Sequence, residues 1–352
     1  MDIEFHYYIT YILAKKAGFS PEDSTIIAYA CQYTDDNCNQ YYINSLLHED
    51  YVSKPSQTMD ITKPSLKKIS IYPLFHFFPG NPDSPTAVRK DGQEHPFNTT
   101  PDSDHVRKVF EDALASNDLY RIGIATHTYA DSWAHQNFLG LEDTFNAVVI
   151  QEKSFLNIGH ATALHNPDIV GNVWTDRRLV EKNEKIDNNV RFLEAAEKIY
   201  SAFRRHLRPE LPEADIQTEW KGVRNELKNA MEKGSFLGNL FKLSQKSRIK
   251  AYKKIADDIP PYNEKEWRHA AVFKAECEND LFDCYWAADK FRESHWYRFQ
   301  QAVKAHYRIA MKVLIDIYQQ LDPIKTRFVK YGMPDAIEAQ IEKEKSEAMG
   351  VQ

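Results

Sequence analysis

Glycine and cysteine are scarce in this chain: 12 and four among 352 residues. No glycine-rich phosphate-cradling loop is present, which removes the nucleotide-binding classes built on one. The four cysteines form two pairs of equal spacing, Cys31/Cys38 and Cys277/Cys284, which a helix would place on one face. We read them as reduced, half-buried thiols rather than as a disulfide or a metal site. No stretch reaches the 18 or so consecutive apolar residues that a membrane-crossing helix needs. The opening Met1-Asp-Ile-Glu-Phe-His6 carries acids where a secretory leader carries lysine or arginine. Together these point to a cytoplasmic protein. Positive charge is also short, with 45 Lys+Arg against 51 Asp+Glu and a net charge of -6. That balance excludes a general attraction for nucleic acid or anionic membrane, so a phosphate-bearing substrate would need a local source of positive charge.

What is present favours helices. Apolar residues recur every three to four positions in residues 3–17, 21–33, 103–115, 120–137, 178–207 and 294–321. Ser20-Pro21-Glu22-Asp23 reads as an N-cap, a proline at the first helical position and acids in the first turn. Regular β-alternation is rare, and the expected class is all-α. Residues 52–102 hold 8 of the 16 prolines and read as a long functional loop. Within it, Ile69 to Phe78 suits a short strand or an extended strip. No Gly/Ser-rich linker divides the chain, so we expect one large domain. Its metal-binding helical core would span residues 1–180, with residues 181–352 as a helical extension packed on it.

The stretch His127-Thr-Tyr-Ala-Asp131-Ser-Trp-Ala-His135 carries the chemistry. At 100° per residue, the two histidines and the aspartate lie within about 80° on one helix face. The histidines are nevertheless roughly 12 Å apart along the axis, while metal-ligand bonds are only about 2 Å long. One ion cannot take both, but two ions can, with Asp131 between them as a bridge. Ionisable groups on a helix flanked by Tyr129 and Trp133 are costly to bury unless paired or coordinated. Other candidate ligands stand in separate segments: His6, Asp35 and Asp36 in "QYTDDN", His76 in "FHFFPGNPD", and His160, His165 and Asp168 in "GHATALHNPD". On a helix His160 and His165 would diverge by about 140°, so a turn at Asn166-Pro167 is needed to fold His165 or Asp168 back towards His160. The remaining histidines lack a clustered carboxylate and read as surface or core.

The ordered set His6, Asp35, His76, His127-Asp131-His135 and His160 resembles the zinc-dependent phospholipase C and single-strand nuclease superfamily over roughly residues 1–170. The chain is also similar to an uncharacterised bacterial family with "FHYY", "QYTDD" and "HTxxDxWAHQNFxG" segments. The superfamily resemblance implies a multi-helix bundle around two or three zinc ions. It assigns Asp35, His76, His127 and Asp131 to one ion. Asp131 would bridge to a second ion shared with His6, and His135, His160 and a carboxylate would hold a third. The chain departs from the superfamily at four points, one of them the long gap from His135 to His160. There the mature N-terminal residue binds zinc, whereas here Met1 lies five residues ahead of His6, leaving the second ion short of ligands or served by Asp2 or Glu4. Leu164 stands where the superfamily has its acid, so His165 or Asp168 substitutes or the third site is lost. Ser-Trp-Ala-His135 also replaces the usual "QPxH".

The function expected from this resemblance is metal-dependent phosphoester hydrolysis with a small-molecule, lipid or single-stranded nucleic-acid substrate. Water would be the nucleophile, since no serine or cysteine nucleophile is evident, and an unligated Asp36 or Asp168 would serve as base. Histidine and carboxylate ligands suit zinc, and also manganese, iron or nickel. An HD-type phosphohydrolase requires an adjacent His-Asp dipeptide, which the sequence lacks. The non-enzymatic alternative is a helical scaffold held together by metal, serving a partner protein.

Overall fold

A computed structural model describes residues 1–45, 49–58, 70–148, 157–233, 241–275 and 284–319. The chain begins with a π-helical segment, Glu4–Ile9, that continues as α1 (Thr10–Ala17) and stops at Gly18, whose φ of 117° ends the helix in a left-handed cap. Helix α2 (Pro21–Asp36) starts where Ser20 accepts a hydrogen bond from the Asp23 amide, with Pro21 in the first turn. After the short strands β1 (Tyr42–Asn44) and β2 (Tyr51–Val52), a single helical turn, α3 (Tyr72–Phe75), replaces the extended strip expected at Ile69 to Phe78. Pro73 sits in the first turn, where its missing N–H costs nothing. Ile69 itself lies outside the described residues.

Helices α4 (Asp104–Ala115) and α5 (Leu119–Ala134) are capped by Ser103 and Asp118, whose side chains accept from backbone amides of the first turn. Helix α5 is buried at every position from Ile122 to Ala134, so it is the axis of the core rather than a half-exposed helix. It packs against α2, α3, α4 and two later helices, α7 (Asn188–Leu207) and α11 (His295–Gln319). The close approach of α2 requires Gly123: a Cβ there would lie 2.5 Å from the Ile27 carbonyl oxygen and 2.6 Å from the Ala30 Cβ.

The middle of the chain departs from the expected helix over residues 178–207. Strand β3 (Val173–Thr175), the one-turn α6 (Glu181–Glu184) and β4 (Lys185–Asp187) come first, and α7 begins only where Asp187 caps it. Helices α8 (Glu213–Met231) and α9 (Phe241–Ile255) follow, then α10 (Glu266–Ala271), strands β5 (Val272–Ala275) and β6 (Cys284–Ala287), and α11. The all-α expectation is therefore corrected: the chain is mainly helical, with two small sheets among the described residues. One has the order β2-β1-β6-β5, with β1 and β6 parallel and the other pairs antiparallel; the second pairs β3 with β4. The β1–β6 pairing and the packing of α11 on α5 tie the two halves of the chain together.

The cysteine pairs do not share helix faces. Cys31 is in α2 while Cys38 lies past its end, and Cys284 is in a strand. Cys31 and Cys38 are free thiols, and Cys277 lies outside the described residues. Among the described residues, no helix is long and apolar enough to cross a membrane.

Candidate metal centre

Helix geometry delivers the first donors. Helix α5 carries His127 and Asp131 and ends with His135 as its C-cap, while α2 brings Asp35 in its last turn. His76 follows α3, and His6 arrives on the π-helical segment, an irregularity frequent at functional sites. Four donor atoms converge here: Asp35 Oδ1, His76 Nδ1, His127 Nε2 and Asp131 Oδ2. The two nitrogens are 3.0 Å apart. Asp35 lies 3.6 and 3.7 Å from them, and Asp131 3.4 and 3.2 Å. A tetrahedron with bonds of about 2.05 Å has edges of about 3.3 Å. These separations bracket that edge.

A second set faces it across Asp131. His135 Nε2 is 3.1 Å from Asp168 Oδ1, and His160 Nε2 is 3.2 Å from Asp168 Oδ2. Asp131 Oδ1, the oxygen not used in the first set, lies 3.1 Å from His6 Nε2 and accepts from the Met1 amino group, which is itself 3.5 Å from Asp168. The two Asp131 oxygens thus turn to different groups: Oδ2 to His76 and His127, Oδ1 to His6 and Met1.

The histidine tautomers show what these atoms present. His127 Nδ1 lies 2.9 Å from the Cys31 carbonyl, His76 Nε2 2.9 Å from that of Ser56, His135 Nδ1 2.7 Å from that of His76, and His160 Nδ1 2.7 Å from that of Leu164. A carbonyl can only accept, so each of these nitrogens carries the hydrogen, and in a neutral ring the other nitrogen turns a lone pair into the cluster. This is the support that metal-binding histidines receive. The facing lone pairs of His76 and His127, 3.0 Å apart, repel unless a cation or a proton lies between them. In addition, His6 Nε2 and Asp131 Oδ2 are buried without a hydrogen bond, a cost that coordination removes. The residues fit a metal.

Electrostatics agree. Burial alone would raise the Asp131 carboxyl, but His135, the Met1 amino group, His127 and His6 hold it well below the usual range. Asp168 is likewise lowered against its burial by His160, the amino group and His135. Burial, His127 and the amino group push His6 down to about 3, so it is a neutral donor. His127 is raised despite burial because Asp131 and Asp35 attract its proton, which occupies the place a metal cation would take.

Two sequence candidates stand apart. Asp36 turns away: its carboxylate accepts from Tyr262 and Gln32, so it is not placed to act as base. His165 is exposed and outside the ligand sets, whereas Asp168 groups with His135 and His160. Asp168 therefore sits among donors rather than as a free base. Asp2 and Glu4 do not serve as ligands either. Glu4 makes a two-pronged pair with Arg248 of α9, at 2.6 and 2.8 Å, and Asp2 accepts from the Glu4 amide. What sequence reasoning missed is the Met1 amino group itself, buried and pushed up to about 11 by Asp131, Asp168 and Asp35 against the effect of burial. It also missed Cys31, whose sulfur backs His6 Nδ1 at 3.6 Å in place of a carbonyl.

The donors open onto a cleft of about 480 Å³. Met1, Asp35, His76, Asp131, His135, His160 and Asp168 form its floor, and Tyr72, Phe77, Ile158, Ala161 and Leu164 its largely apolar walls. Gly159 permits this wall: at φ 52°, a Cβ would lie 2.5 Å from the Phe77 ring, which stacks on His135 with centroids 4.4 Å apart.

The chain belongs to a family of unknown function. The match to that family, DUF6765, covers residues 1–314 and so includes every donor described above. No curated protein and no solved structure matches the chain.

Proposed function

We propose that the chain is a metal-dependent hydrolase of phosphoester bonds, of phosphodiesterase or phospholipase C type, with zinc as the metal. The observation that carries this reading is the openness of the second donor set: His135, His160 and Asp168 offer three protein donors, and all three line the cleft. Structural zinc sites are closed by four protein ligands, whereas catalytic sites hold three and leave a position for water or substrate. A metal used only to brace a scaffold would not need a cleft at its open face.

Charge supports a phosphorylated substrate. Asp35, Asp131 and Asp168 give the donor sets three negative charges, and among the described residues no lysine or arginine lines the cleft. Without cations the site repels an anion; two or three divalent ions turn it positive. Bound ions would supply that charge and bring a water molecule's pKa towards neutrality. The chain's own contributions are separate. Asp131 and Asp168 stay ionised, the backbone carbonyls behind the histidines fix their tautomers, and Phe77 shields one face of His135. The apolar walls receive the organic part of the ester and exclude water from it.

The test is hydrolysis of bis(4-nitrophenyl) phosphate by protein stripped with chelator and reloaded with zinc. The reading expects activity that disappears on stripping, returns on reloading and is lost in His135→Ala with helical circular dichroism retained. Metal-loaded protein inert towards phosphomonoesters and phosphodiesters alike would favour the scaffold.

A further inference from the structure

Among the described residues that line the cleft, two ionisable side chains, Tyr72 and His165, stand outside the donor sets. The carboxylates and ring nitrogens of those sets, with the Met1 amino group, are committed to one another, and the Tyr72 hydroxyl donates to the Thr58 carbonyl at 2.8 Å. His165 also lines the cleft, is exposed, and has no side-chain partner among the described residues.

Its position is purchased with backbone strain. Leu164 has φ 55° and ψ -135°, a region natural only to glycine. The turn is held from both sides: the Leu164 carbonyl accepts from His160 Nδ1 at 2.7 Å and its amide donates to Ala161 at 3.1 Å, while the Asp168 amide donates to the His165 carbonyl at 3.1 Å. A glycine at 164 would make this turn without strain. The chain instead fixes His165 between two donors, His160 and Asp168, and strain of this kind collects at functional sites.

We propose that His165 is the general acid that protonates the leaving group. The proposal rests on the hydrolase reading above. When water attacks, a P–O bond to the water oxygen forms and the P–O bond to the leaving group breaks, its electron pair remaining on the leaving oxygen. That oxygen takes the proton of the His165 imidazolium and departs as an alcohol. The proton lost by the attacking water passes to solvent, which reprotonates the imidazole. Histidine is the side chain best suited to this exchange near neutral pH, and no other acid among the described residues of the cleft is free to make it.

The experiment compares wild type with His165→Gln on methyl 4-nitrophenyl phosphate and methyl phenyl phosphate, with metal per chain measured on the same samples. 4-Nitrophenolate leaves without a proton and phenolate does not, so His165→Gln should stay within about threefold of wild type on the first and fall about 100-fold or more on the second. Metal content should not change. Equal losses on both esters, no loss on either, or the loss of a metal equivalent would overturn the assignment, the last by making His165 a ligand. Metal-loaded wild type inert towards both esters would instead bring down the hydrolase reading, and this inference with it.

Discussion

The two donor sets are built by different means. Asp35, His127 and Asp131 stand on α2 and α5, helices locked face to face through Gly123. His160 and Asp168 stand on an irregular segment shaped by Gly159 at φ 52° and Leu164 at φ 55°. The helix-borne set has four donors and its geometry follows from the core. The loop-borne set has three, faces the cleft, and depends on a strained turn. A pedestal of packed helices thus carries one half of the centre, and a strained loop pinned by its own hydrogen bonds carries the other.

Asp131→Asn should have the largest effect, because its carboxylate serves the first set through Oδ2 and turns Oδ1 to His6 and Met1. Removing a donor should weaken metal binding by more than the 10- to 100-fold that loss of a supporting residue costs. Isothermal titration with zinc reads this directly. Gly123→Ala attacks the pedestal alone. Its methyl group has no room between α2 and α5, so we expect a loss of about 1–3 kcal/mol in denaturant unfolding, with weaker binding in the helix-borne set. Gly159→Ala attacks the wall. It should cost about 1 kcal/mol in stability through its positive φ and disturb the Phe77–His135 stack, so that one metal equivalent weakens while the other stays.

The smallest effect concerns the core beneath the pedestal. His306 is buried against Phe75, with its Nε2 2.9 Å from the Leu74 carbonyl. Burial pushes its pKa down to about 4, only partly opposed by that carbonyl. Because the folded value lies below the unfolded one, its contribution to stability is complete above about pH 6.5 and is lost as the pH falls towards 4. His306→Gln should remove about 1 kcal/mol of the decline between pH 7 and 5.5 in urea melts.

The same contrast explains what could be read from the sequence. The HxxxDxxxH stripe was legible because helical periodicity fixes which residues share a face, and Ser20-Pro21 marked where α2 begins. Six histidine and aspartate donors beyond the loop, His6 to His135, could be placed in order from their motifs. On the loop, no periodicity ranks His165 against Asp168; only the turn at Leu164 brings Asp168 to His135 and His160. The amino group of Met1 leaves no trace in residue type. The sheet was hidden for another reason: strands of two to four residues show no alternation, and β1 finds β6 some 240 positions away. The stretch Ile69 to Phe78 suited a short strand or an extended strip, but Pro73 opens a helical turn and packs on Gly140.

Metal per chain, measured by inductively coupled plasma mass spectrometry on protein purified without chelator, tests the centre most directly. Wild type should carry two or three equivalents, Asp168→Asn one fewer, and Asp131→Asn fewer still, with helical circular dichroism retained in all three. Less than about half an equivalent in wild type, unchanged by added zinc and by either substitution, would contradict a metal centre at these residues.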